Sequence, residues 1–250
     1  MIMMNLLWDK ILFLDIETVP QVADYKEMSP EMAHLWDEKA QALQLRNPER
    51  YPSTWTSQDV FANGAGIYAE FGKIICISVG FIYFDANAKT CFRTKSFYGD
   101  DEKQLLTDFA ALLIKFMAST QHNICGHNIK EFDVPYICRR MLVNGVLLPE
   151  AIRIAGKKPW EIPFLDTLEL WKFGDYKNYT SLKLLCAIFG IATPKDDIDG
   201  SEVAGVYYNE KNIERIVSYC EKDVVATAQL LLRLGSKELI APENIISVST

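Results

Sequence analysis

The chain predicts an α/β fold, with a mixed central sheet of about five strands flanked by helices. Three observations predict it. Strand-like apolar runs alternate with amphipathic helical runs along the 250 residues. Their order is strand, hairpin, helix, strand, helix, strand, helix, which places helices on the faces of a sheet that is neither wholly parallel nor wholly antiparallel. The composition, 49% hydrophobic, is enough to bury a sizeable core.

The first strand is Ile11-Leu12-Phe13-Leu14-Asp15-Ile16-Glu17-Thr18. Its four leading apolar residues read as a strand buried on both faces. An insertion follows at about 21–71. Within it, Ser29-Pro30-Glu31 starts a helix: a hydroxyl N-cap, proline at the first helical position, then an acid at the positive end of the dipole. That helix runs to about Leu45, with Met32, Leu35, Trp36, Ala40 and Leu43 as its apolar stripe, and Asn47-Pro48 ends it. Tyr51 to Trp55 and Asn63 to Gly66 read as loops. Because the segment carries aromatics, it is expected to fold as a cap near the end of the first strand, within a single domain spanning 1–250.

Ile74–Phe84 and Cys91–Tyr98 are strand runs, and Ala86-Asn87-Ala88 between them suits a hairpin turn. Asp100-Asp101-Glu102 opens a helix to about Met117. Asn123 to Gly126 is a short buried strand. A helix over Phe132 to Asn144 stops at Gly145. A further strand is expected at Ile162 to Thr167, short helices at Leu168 to Phe173 and Leu182 to Phe189, and a long final helix from about Asn209 to Leu234.

The six cysteines show no C-x-x-C spacing, and several sit in apolar runs. They read as reduced thiols of a cytoplasmic protein, which makes the Asn178-Tyr179-Thr180 sequon a chance match. No run of about 18 uncharged apolar residues is present, so no membrane segment is expected. Met1 to Asn5 lacks the pattern of a signal peptide. The net charge of −7 argues against holding nucleic acid on a broad basic surface. A chain end gripped at a metal-filled site remains compatible with it, because bound cations reverse the local field.

Strand alternation points Asp15 and Glu17 the same way. Two carboxylates on one face at the end of a buried strand repel each other and lose hydration. A divalent cation between them removes that cost, and hard cations choose carboxylate oxygen; a solvated strand end is the alternative. Two more acid-bearing motifs follow: Asn128-Ile129-Lys130-Glu131-Phe132-Asp133, just after a strand, and Tyr219-Cys220-Glu221-Lys222-Asp223. In the latter, Tyr219 and Asp223 are four apart and share one helical face beside an apolar stripe. Taken singly, Asp133 as a helix cap and Asp223 as a solvated helix acid are the plainer readings. Asp197-Ile198-Asp199-Gly200 fails as a calcium loop, since Lys195 and Val206 occupy ligand positions. Asp199-Gly200-Ser201 reads as a turn near the substrate end. Asp166 reads as a helix N-cap or as a support for the acids.

Together, Asp-x-Glu, then Asn-x-x-x-Phe-Asp, then Tyr-x-x-x-Asp, in that order, resemble the exonuclease superfamily named for its four acids, DEDD. The likeness is to the 3′–5′ exonuclease domain of family B DNA polymerases, and to stand-alone polymerase-B-like exonucleases. It covers Ile11 to about Leu234, apart from the insertion. Asn178 to Leu184 also looks like the stretch before the last motif. The tyrosine subtype is indicated, because Tyr219 occupies its position and Ser218 stands where the histidine subtype has histidine. His127 is read as structural.

The resemblance implies a ribonuclease H-like fold and two divalent cations, Mg²⁺ or Mn²⁺. It implies that Asp15 bridges both, that Glu17 and Asp223 complete the tighter site, that Asp133 holds the second and that Tyr219 orients the attacking water. Ile16, Thr18, Asn128, Phe132 and Lys183 are the expected substrate contacts, with Lys172, Lys177, Tyr176 and Tyr179 as either a track for phosphates or a solvated loop. The implied activity is 3′–5′ exonuclease action on single-stranded DNA ends, releasing nucleoside 5′-monophosphates. Trimming of RNA 3′ ends and a non-cleaving nucleic-acid-binding module are the alternatives.

Overall fold

A computed structural model describes residues 6–119, 121–175, 179–192 and 198–248. The expectations for Tyr176, Lys177, Asn178, Lys195 and Asp197 lie outside the described residues.

Strand β1, Ile11–Pro20, lies at the middle of a six-stranded mixed sheet. It pairs antiparallel with β2, Gly72–Phe84, and parallel with β4, Asn123–Gly126. β2 forms the expected hairpin with β3, Thr90–Tyr98. β5, Leu165–Asp166, extends the sheet beyond β4, and β6, Ile245–Ser247, extends it beyond β3. The sheet therefore has six strands where about five were expected. The extra one has three residues and is largely exposed, too short to leave an alternating pattern.

The two faces of β1 explain its sequence. Leu12, Leu14 and Ile16 pack with helices α3, Glu102–Phe116, and α4, Asp133–Val143. Ile11 and Phe13 face the long helix α8, Ile213–Leu234, through Val224, Ala228 and Leu231. Asp15 and Glu17 share the parity of Ile11 and Phe13, so the strand aims them along the face that α8 covers. The β1–β2 register shifts between Glu17 and Thr18. Such an irregularity bends a strand and re-aims its side chains where pairing ends.

The helix over Pro30–Arg46, α1, forms as expected, with the Ser29 side chain accepting from the Met32 N–H. Leu35 of the expected stripe is exposed, whereas Trp36 and Ala40 are buried. A second helix, α2, Ser57–Gly64, forms in a stretch given no element from the sequence and takes in Asn63 and Gly64, which were expected to be loop. Its start is a capping box: the Asp59 N–H donates to Thr56 Oγ1, and the Thr56 N–H to Asp59 Oδ2. α1, α2 and the following turn enclose an apolar cluster of Trp36, Tyr51, Val60, Phe61 and Phe71. The insertion thus folds as a cap against the end of β1.

Helices α5, Thr167–Lys172, and α6, Leu182–Ile188, match their expected places. The final helix starts at Ile213, not near Asn209. A short turn of helix, α7, Val203–Gly205, and a π-helical turn over Val206–Glu210 precede it. Lys211 in the left-handed region then breaks the path, and Asn212 caps α8 by accepting from the Arg215 N–H.

A buried ion pair ties the sheet, α3, α4 and the insertion together. Arg140 Nε and Nη2 donate to the two Glu102 carboxylate oxygens at 2.9 and 2.6 Å, and Nη1 donates to the Ala69 carbonyl at 2.9 Å. The Ile74 N–H and Asn144 Nδ2 also donate to Glu102. Each buried charge is met by directed partners, which is the condition for such a pair to be tolerated.

Candidate active site

Three elements carry the acids expected at the site. β1 contributes Asp15 and Glu17, the first turn of α4 contributes Asp133, and α8 contributes Asp223. Glu17 and Asp133 are buried. Asp15 keeps some solvent contact, yet protein atoms crowd its carboxylate enough for desolvation to dominate.

Their charges act on one another. Burial, then the charges of Asp133, Asp223 and Glu17, hold the Asp15 carboxyl well above the usual carboxylate range. Burial, then Asp223 ahead of Cys76 and Asp133, does the same to Glu17. Asp133 is pushed up to about 7 by burial, with Asp166 and Asp223 adding to the rise; the backbone N–H groups of Asp133 and Ile16 oppose it. The charges that act most strongly on Asp15 and Glu17 are all negative. Desolvated like charges without a cation are unfavourable, and a divalent metal is the partner their oxygen donors suit. The residues present therefore fit a metal centre.

The tightest group is not the four acids. Donor atoms of Asp15, Glu17 and Cys220 lie within 4.8 Å of one another. The Cys220 thiol donates to Asp15 Oδ2 at 3.3 Å and thereby lowers the Asp15 pKa, opposing the other influences. Its place in Tyr219-Cys220 was visible in the sequence, but nothing there marked it as touching the acids. Tyr219 is half-buried and packs beside the apolar cluster of Val19, Ile216 and Cys220.

The second motif is held by Asp166. Its carboxylate accepts from the backbone N–H groups of Asn128 at 2.9 Å and Lys130 at 3.2 Å, and caps α5 through the Leu168 and Glu169 N–H groups. The expected cap is thus present, and the same side chain also holds the loop that leads into Asp133. It fixes a loop in which Asn128 adopts φ of +64°, a conformation asparagine tolerates better than most residues. His127, expected to be structural, is held by two hydrogen bonds. Its Nε2 meets the Thr180 carbonyl at 3.0 Å and so carries the proton, while Nδ1 meets Thr167 Oγ1 at 2.9 Å. Burial pushes its pKa down, consistent with a neutral ring.

Beside Glu17 opens a cavity of about 300 Å³. Ile16, Thr18 and Phe132 line it, as does the Gly200-Ser201 turn. Asn128 is not among the lining residues. Lys183 is exposed on the first turn of α6; hydrogen bonds from Ser201 hold the Asp199 pKa down, and the Lys183 charge adds to that. Lys172 is half-buried, Tyr179 is exposed with its ring edge-on to His127, and Lys130 is paired with Glu169 at 2.7 Å. No described helix is long and apolar enough to cross a membrane.

No curated protein matches the chain. Among solved structures, it is similar to the family B DNA polymerase from the hyperthermophilic archaeon Pyrobaculum calidifontis, at 14% identity and a TM-score of 0.48. The similarity covers 89% of this chain and 24% of that one, so this chain spans about a quarter of the polymerase's length. A family model described as RNase_H superfamily matches residues 64–234, a stretch that includes Asp133, Tyr219 and Asp223. With that match over most of its length, and with a mixed six-stranded sheet flanked by helices, the chain belongs to the RNase_H superfamily, a class of nuclease-type nucleic-acid enzymes.

Proposed function

We propose that the protein is a metal-dependent 3′–5′ exonuclease of the tyrosine subtype. It acts on single-stranded DNA ends and releases nucleoside 5′-monophosphates. The observation that carries this reading is that the charges of Asp133 and Asp223 reach Asp15 and Glu17 and raise their proton affinity, with Glu17 lining a small cavity.

Asp15, Glu17 and Asp223 would hold one Mg²⁺ or Mn²⁺, and Asp133 with Asp15 a second. Such cations neutralise the scissile phosphate and lower the pKa of bound water. The protein's own part is placement. Asp15 and Glu17 stand on a strand fixed on both sides within the sheet, and Asp166 clamps the loop that leads into Asp133. Tyr219 stands one helical turn before Asp223 on α8. Its role is to orient the attacking water by a hydrogen bond. Ile16, Thr18 and Phe132 border the space for the terminal nucleotide, and Phe132 offers a face for stacking.

The test uses 5′-labelled single-stranded DNA and RNA with Mg²⁺ or Mn²⁺, alongside Asp15→Ala. A ladder shortening from the 3′ end of DNA, lost with a chelator and in the variant, is expected. Faster loss of RNA would make the protein a ribonuclease. Intact strands with a gel shift would make it a binding module.

A further inference from the structure

We infer that the insertion at 21–71 builds one wall of the pocket for an unpaired 3′-terminal nucleotide, with Ile67 and Arg50 setting specificity. This rests on the exonuclease reading and adds to it residues from outside the three acidic motifs. One part of the 300 Å³ cavity comes from Ile16, Glu17, Thr18 and Phe132; another comes from the insertion, through Arg50, Asn63 and Ile67.

The chemistry of that wall suits a nucleotide. Ile67 is 38% exposed and lines the same cavity as the half-buried Phe132 ring. The two offer apolar surface for the faces of a base. Arg50 is the one basic residue of the lining, 5.5 Å over the Tyr51 ring. Its guanidinium brings several N–H donors for the polar edge of a base or for sugar oxygens. Asn63 Nδ2 donates to the Asp59 carbonyl at 2.8 Å, leaving its own carbonyl oxygen as an acceptor. Glu17 is the one acid of the lining and marks the end where the phosphate belongs.

The wall is rigidly placed. Tyr136 Oη donates to the Gly66 carbonyl at 2.8 Å, Arg140 to the Ala69 carbonyl, and the Gln21 N–H to the Phe71 carbonyl at 2.8 Å. At Gly66 an added Cβ would lie 3.2 Å from the Val19 carbonyl carbon, so the insertion's backbone is pressed against β1. A wall fixed before binding loses little freedom when the ligand arrives. A cavity of this size is at the small end for ligand pockets. It admits one nucleotide and not a base pair, so the end that enters is unpaired.

The test compares the parent with Arg50→Gln and Ile67→Ala, both at exposed positions. Mn²⁺ binding is followed by electron paramagnetic resonance, and binding of deoxyadenosine 5′-monophosphate in the presence of Mn²⁺ by calorimetry. Each variant should hold Mn²⁺ within twofold of the parent and bind the nucleotide at least tenfold more weakly. Nucleotide affinity equal to the parent's would overturn the inference while leaving the exonuclease reading intact; a parent that neither binds nucleotide nor cleaves DNA would overturn both. An Asn63→Cys variant gives a footprint that does not depend on lost affinity. Alkylation at position 63, read by peptide mass, should slow at least fivefold with Mn²⁺ and the nucleotide. An unchanged rate would place the nucleotide elsewhere, and loss of Mn²⁺ binding in both exposed-site variants would assign their effect to the acids instead of the wall.

Discussion

Replacing Asp133 with asparagine should stabilise the metal-free protein at alkaline pH. In the folded protein the Asp133 pKa rises from 3.8 to about 7, chiefly through burial. The native state therefore keeps a proton that the unfolded chain gives up. The sign follows: stability is highest below the unfolded value, falls as pH rises towards 7, and stays low above it. At about 1.4 kcal/mol for each tenfold change in proton affinity, the penalty at pH 8 is on the order of 4 kcal/mol. Asp15 and Glu17 are raised in the same direction and add to the slope. The amide introduced by Asp133→Asn would carry no charge while presenting an oxygen to the Ile16 N–H. For a chain of this length, each kcal/mol is worth roughly 2–4 °C of melting temperature. With chelator present, Asp133→Asn should melt roughly 10 °C above the parent at pH 8, with the difference shrinking towards pH 4. Adding Mn²⁺ should reverse the order, because ligand bound only by the folded parent stabilises it, by about 2.7 kcal/mol at a hundredfold excess over Kd. A variant that melts no higher than the parent at pH 8 without metal, beside a parent flat between pH 5 and 8, would refute the reasoning.

Three other outcomes follow from the same structure. Arg140→Met leaves Glu102 buried without its main partner, and chemical denaturation should show a loss of roughly 3–5 kcal/mol; a loss under 1 kcal/mol would mean that the pair is dispensable. Asp166→Ala should cost about 1–2 kcal/mol through the lost cap and should also lower cleavage, since Asn128 and Lys130 lose their anchor; full activity would show that the second motif holds its place unaided. Tyr219→Phe should lower kcat by no more than about 10²-fold, the low end for proton-transfer groups, with KM and Mn²⁺ affinity unchanged; a raised KM would give the phenol a substrate-binding role instead.

What was legible depended on the range of the interaction. Asp15 and Glu17 could be paired from the sequence because strand alternation is local. The hairpin, α1 and α3 carried their own caps and turns. Asp133 and Asp223 are different: no local rule brings residue 133 to residue 15, and the order of motifs in a known family suggested the convergence. α2 carries a local start signal, Thr56-Ser57-Gln58-Asp59, which the reading of the sequence did not use. Asp166 looked like an ordinary N-cap because its other two hydrogen bonds reach back nearly 40 positions. The contact of Cys220 with Asp15, and the wall made by Arg50 and Ile67, depend on side chains far apart in sequence with no shared period.

The most direct measurement of the central claim is anomalous diffraction from crystals soaked in Mn²⁺. The account predicts one or two strong peaks coordinated by Asp15, Glu17, Asp133 and Asp223, absent in Asp15→Ala. Saturating Mn²⁺ that leaves the space among those carboxylates without a peak would contradict it.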